Sequence, residues 1–325
     1  MLSRRQEQRI FENTVSICRY EFHLNGLPTG EGRISAFTLL ELLQGVTDCA
    51  GKALRLSVEG TSVKAGRNPG WLDAAVNFTV TGIGPGCTMI AVEAPRLAGL
   101  LGEELGQADF FGNPPSGDDT ALSLFARSVQ ATKVEDIESN SYDRGVLKSL
   151  LDFRRLFRGA ATSIELRSPD RAIDDVTFGQ EDIEKVERLR HRIPEPQAFV
   201  VSGKLDSIHH SERRFWLELP DSQRIPGRVD EEFLAAEDLR HLWGRTVTIK
   251  GLVHFRPSGK VQLLEAQTLT AAETGDEIFS VSPRVEETPF LFDGTRIDST
   301  AIGQLRGKWP GEESIEELLE ALRDD

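Results

Sequence analysis

Residues 197–272 constrain the fold more than any other stretch of this 325-residue chain. Pro194 and Pro196 punctuate the sequence, and a series of short alternating segments follows. FVVSGKLDSI, RRFWLELP and RIPGRV read as three strands. DEEFLAAEDLRHLWG reads as a helix, and RTVTIKGLVHFR and KVQLLEAQTLTA as two more strands. Gly203 and Gly251 fall inside strand segments, where a small barrel bends sharply. Side chains alternate along a strand. If Val201, Leu205, Phe215, Leu217, Leu219, Ile225 and Val229 point inward, then Lys204, Arg214, Trp216, Glu218, Arg224 and Arg228 point outward.

The order β-β-β-α-β-β over residues 197–272 resembles the OB-fold, a five-stranded Greek-key barrel with its helix between the third and fourth strands. The likeness rests on element order; another small barrel, such as an SH3-like one, is the rival. The resemblance implies a candidate surface for single-stranded nucleic acid. A base would stack on Trp216 while Lys204, Arg214, Arg224 and Arg228 meet the phosphates. The competing reading packs Trp216 against the N-terminal domain and pairs the arginines with nearby acids, because a fold alone does not imply a ligand. Charge bears on the choice. The chain carries a net −14, which repels phosphates. Residues 195–272, however, hold eleven acidic and ten basic residues, a net of only −1, so a local basic face is compatible with the sequence.

The N-terminal 194 residues mix both element types. VSICRYEFHL (15–24) reads as a strand, and Ser35 as the N-cap of a helix over AFTLLELLQGVTDCAG. Phe37, Leu39, Leu40, Leu42, Leu43 and Val46 form a wide apolar stripe, which places that helix against a sheet. ALRLSVEG (53–60) alternates and reads as a strand; GRNPGWLD reads as a loop. AVNFTVTGI and CTMIAVEAP flank Gly84-Pro85-Gly86 as a hairpin. Helices are expected over 118–134 and 141–158, strands at TSIELRS and DVTFG, and a charged helix at EDIEKVERLRHRI. The fold class is therefore α+β. An N-terminal α+β domain (1–194) and an OB-like five-stranded β-barrel (195–272) are followed by a linker (273–289) and a short helical tail (290–325).

Chemical motifs are sparse. Gly82, Gly84 and Gly86 lie between two strands and do not open a helix, so a hairpin explains them better than phosphate binding. His209-His210, near Asp206, falls in a loop with no completing ligand cluster. Pairs such as Asp118-Asp119, Asp174-Asp175 and Glu231-Glu232 suit helix starts. No catalytic residue, metal site or cofactor is assigned, and the chain reads as non-enzymatic. Cys18, Cys49 and Cys87 are far apart and fit reduced thiols in a cytoplasm. No apolar stretch approaches the roughly 20 residues of a membrane span. MLSRRQEQRI lacks the apolar core of a secretory signal, so a cytoplasmic protein is expected.

The last 40 residues differ from the rest. From Glu286 to Asp325 there are eleven acidic and four basic residues, a net of −7. Ser299 or Thr300 caps a short helix through Leu305, Gly307 ends it, and Trp309-Pro310-Gly311 turns the chain. Ile315, Leu318, Leu319 and Leu322 then recur at helical spacing. So short a helix needs a surface on which to bury that stripe. The pattern LRGKWPGEESIEELLEAL (305–322) resembles the C-terminal ends of bacterial antitoxin-like proteins, which are paired with a small toxin, often a PIN-domain ribonuclease. The resemblance implies a partner-binding tail. Ile315, Leu318, Leu319 and Leu322 would anchor in a groove beside Leu305, Trp309 would fill a pocket, and Arg306 or Lys308 would reach the toxin's carboxylate cluster. The N-terminal domain is larger than the DNA-binding element of such proteins and departs from it.

Overall fold

A computed structural model describes residues 16–29, 32–64, 66–84, 88–101, 115–159, 161–170, 173–209, 214–229 and 241–285. The N-terminal part is an antiparallel five-stranded sheet covered on one face by helices. Strand β1 (Ile17–Asn25) lies at its centre, in the order β2-β3-β1-β4-β5. Its neighbours are β2 (Thr79–Gly84), β3 (Met89–Pro95), β4 (Ser163–Arg167) and β5 (Val176–Gly179). Alternation assigns the two faces. Cys18, Tyr20, Phe22 and Leu24 are buried beneath the helices. On the opposite face Arg19 pairs with Glu93, His23 with Glu21, and Arg167 with Glu165. As expected, β2 and β3 pair antiparallel on either side of the glycine-rich stretch, with Gly84 opposite Met89.

Helix α1 runs from Ala36 to Glu59 and contains the segment expected to be a strand. Ala53, Leu54, Arg55, Leu56 and Val58 are all buried, so most of the helix surface is covered there. A locally alternating sequence carries no face information in such surroundings. Ser35 caps the start, its Oγ accepting from the Thr38 amide. Gly60 ends the helix in the left-handed conformation (φ 78°) and returns its amide to the Leu56 carbonyl. The apolar stripe is only partly covered: Leu42 and Val46 are buried, but Phe37 and Leu40 are exposed.

A short helix, α2 (Gly70–Ala75), stands where a loop was expected. Helix α3 (Ala121–Lys133) begins with a capping box between Thr120 and Ser123. The helix expected over 141–158 is two, α4 (Arg144–Asp152) and α5 (Arg154–Gly159), divided at Phe153. The Phe153 ring meets Phe125, Phe157 and Phe178, a packing that fixes the bend. Helix α6 (Gln180–Arg192) carries Glu181 and Asp182 in its first turn and Arg190, His191 and Arg192 in its last, matching its dipole.

Strands β6 (Gln197–His209), β7 (Arg214–Glu218), β8 (Arg224–Val229), β9 (Thr246–Phe255) and β10 (Val261–Ala271) form a closed barrel ordered β10-β8-β7-β6-β9. Among the described residues, β8 and β10 alone pair in parallel. The first strand pairs with the second and fourth, and the third with the fifth, which gives an OB-like barrel. All seven residues expected to face inward are buried. Residues 231–240, most of the expected barrel helix, lie outside the described residues. Glycine is required where strands approach closely: a Cβ on Gly251 would stand 2.2 Å from the Glu265 carbonyl oxygen, and one on Gly203 2.7 Å from that of Glu218.

The main core runs through the N-terminal part, from Cys18 to Ile193, and includes no barrel residue. The barrel has its own interior, although residues through Arg284 belong to one compact unit. Beyond β10, Asp276 accepts hydrogen bonds from Thr248 Oγ1 (2.5 Å) and the Glu273 amide (2.9 Å), which hold its carboxyl below the usual range. No described helix is long and apolar enough to cross a membrane.

Two outcomes follow from this packing. Gly251→Ala should lower stability by about 1–3 kcal/mol in urea unfolding, since backbone has to move. Burial raises the thiol pKa of both Cys18 and Cys49. Thiolate is the reactive form, so both should resist iodoacetamide at pH 8 in the folded protein and react fully in denaturant, as counted by mass spectrometry.

Candidate functional site

The outer face of β7 and β8 carries the residues singled out for nucleic acid. Register places Arg214 directly opposite Arg228, Trp216 opposite Pro226, and Glu218 opposite Arg224. On the other side Lys204 lies opposite Glu218 and Ser207 opposite Trp216. The strand period thus brings Lys204, Arg214, Trp216, Arg224 and Arg228 to one face, but its two ends differ.

At one end the arginines meet the C-terminus of α1. Arg214 is only 4% exposed, and its Nη2 donates to the Val58 carbonyl at 2.6 Å. Carbonyls in the last turn of a helix lack helical partners and sit at the negative end of its dipole, so a guanidinium suits both. Arg228 lies between two carboxylates, 3.8 Å from Glu59 Oε2 and 3.9 Å from Glu265 Oε1. Glu59 also accepts from Arg55 Nε at 3.2 Å, and His254 Nε2 stands 3.3 Å from Glu265 Oε2. At the other end Lys204 is exposed, and the half-exposed Arg224 pairs with Asp206 Oδ2 at 3.0 Å. Trp216, between the ends, is half-buried.

The β9–β10 turn makes a second contact with the N-terminal part. Arg256 Nη1 lies 3.8 Å and Lys260 Nζ 2.9 Å from the Glu138 carboxylate. Arg256 Nη1 also reaches the Glu138 carbonyl at 3.5 Å. Burial pushes the Arg256 pKa down, while Glu138 and Asp136 act in the opposite sense. Sequence reasoning missed Val58, Glu59, Glu138, Arg256 and Lys260. Their pairings span long sequence separations and leave no local signal. It also missed Trp243, which is 65% exposed with its indole Nε1 donating to the Asp206 carbonyl at 2.9 Å.

Other features carry less chemistry. A groove of about 740 Å³ beside α1 is lined by Lys52, Arg55, Lys64, Asn68 and Asp73. Lys52 and Asp48 in its wall are already paired: Lys52 Nζ donates to Asp48 Oδ2 (2.9 Å) and Ser149 Oγ (2.7 Å), and Ser149 Oγ donates to Asp48. Among the described residues no group of three or more His, Cys, Asp and Glu could hold a metal ion. Leu305, Arg306, Lys308, Trp309, Ile315, Leu318, Leu319 and Leu322 lie outside the described residues, as does His210. No family model, curated protein or solved structure matches the chain.

The two ends of the face should respond differently to truncation. Arg214→Ala removes a buried, charge-assisted hydrogen bond and should cost about 2 kcal/mol. Arg224→Ala removes a solvent-screened pair and should cost less than about 1 kcal/mol. Parallel thermal melts of the two variants check the ranking.

Proposed function

We propose that this chain is a non-enzymatic regulatory protein that docks a protein partner through its C-terminal tail, in the manner of an antitoxin paired with a small nuclease. One observation supports the reading most. The barrel cations best placed for nucleic acid, Arg214 and Arg228, are committed to the chain's own helix. The folded unit therefore offers phosphates little in this state, and the tail is the element whose sequence calls for a partner. Its stripe of Ile315, Leu318, Leu319 and Leu322 suits a hydrophobic groove. Trp309 suits a pocket near the centre of an interface, beside Leu305.

The chemistry defines the partner class. A PIN-type nuclease holds its metal with clustered carboxylates, and Arg306 or Lys308 would occupy that cluster in place of metal or substrate. The remaining charges of the tail are predominantly acidic, and would repel competing RNA from the inhibited site. The setting is the bacterial cytoplasm, where free thiols such as Cys18 and Cys49 stay reduced.

A nuclease-treated pull-down comparing the full chain with one truncated after Val285 tests this. A small nuclease recovered only with the full chain, and inhibited by it, is expected. Retention of the same partner and of inhibition by the truncated chain would rule out the tail as the docking element.

A further inference from the structure

We propose that the outer face of β7 and β8, together with the β9–β10 turn, is a surface for single-stranded nucleic acid that the N-terminal domain holds shut. The inference is independent of the tail. It begins with a repulsion: Arg214 and Arg228 stand directly opposite each other in an antiparallel ladder. Like charges in that position destabilise a sheet unless an anion lies against them. The chain supplies its own acceptors, with the partly negative Val58 carbonyl oxygen on Arg214 and the Glu59 carboxylate near Arg228. Glu138 does the same for Arg256 and Lys260. Each of these oxygens occupies a place a backbone phosphate would take, since guanidinium and ammonium groups bind both alike.

Three features favour a strand as the displacing ligand. Second and third barrel strands, with the turn between the fourth and fifth, are where barrels of this topology carry extended oligonucleotides. The half-buried Trp216 sits on the same face, between its two ends, where a base would stack. Arg256 Nε is buried and, among the described residues, meets no acceptor, so the closed state leaves a donor that a phosphate oxygen would satisfy.

The closure is also of a kind that can open. The N-terminal core and the barrel interior do not merge. The hydrogen bond and ion pairs that bridge them on this face each use a cationic side chain, and salt and competing polyanions weaken contacts of that kind. Glu138 and Lys260 are substantially exposed, which makes that pair the accessible one.

Fluorescence anisotropy of the full chain with labelled oligo(dT) of about 15 nucleotides tests the proposal. Glu138→Gln, and the double variant Glu59→Gln/Glu138→Gln, should bind tighter than the parent, by about tenfold for the double variant in about 50 mM salt. Adding Arg228→Ala should cancel the gain, and Trp216→Ala should weaken binding without altering its salt dependence. The charge exchange Glu138→Lys/Lys260→Glu should return binding to the parent level. Melting curves identify any variant that has lost its fold. Glu138→Gln alone, at a partly exposed turn, keeps the test decisive if Glu59 proves essential for folding. Folded variants that bind no tighter than the parent overturn the proposal. So does a gain that survives loss of Arg228 and Lys260, since the strand would then lie elsewhere.

Discussion

Two arginines face each other across the β7–β8 ladder, and much of the molecule is arranged around that pair. A guanidinium as enclosed as Arg214 is costly to remove from water unless its donors meet strong acceptors. The end of α1 supplies one, the Val58 carbonyl. Helix length, its termination at Gly60 and the placement of the barrel are therefore linked. A helix stopping a turn earlier would take the Val58 carbonyl away from Arg214 and the Glu59 carboxylate away from Arg228.

The same geometry accounts for how two separately cored modules come to form one compact unit. The N-terminal sheet buries one face under helices and presents ion pairs on the other. The barrel fills its interior with alternating residues and is closed by the parallel β8–β10 pairing. Neither lends its core to the other. On the β7–β8 side Arg214 reaches the Val58 carbonyl and Arg228 the Glu59 carboxylate, and charge complementarity of this kind confers orientation more than adhesion.

Much of this was legible in the sequence because it depends on short-range periodicity. The barrel strands, their inward residues and the hairpin around Gly84 each follow from a period of two and from turn chemistry. The segment 53–59 misled because most of the helix surface is covered there, so buried residues fall on several faces and blur its period. Phe153 splits a helix through contacts with rings far along the chain. At the candidate site, alternation correctly gathered five residues on one face. It could not tell which of them would meet solvent and which would meet α1. That depends on Val58 and Glu138, more than 75 residues away from their partners, and no local pattern encodes it.

The central position of β1 has a consequence for how the chain folds. Residues 17–25 form the middle strand of the sheet, yet one neighbour, β4, begins only at Ser163. On a ribosome the first strand therefore waits for well over a hundred residues before its second edge is paired. Loops of that length are slow to close, and folding rates fall as contacts become less local. The helices between β1 and β4 carry local contacts that form sooner, so α1 and α3 are suited to shelter the waiting strand until the sheet is completed around it.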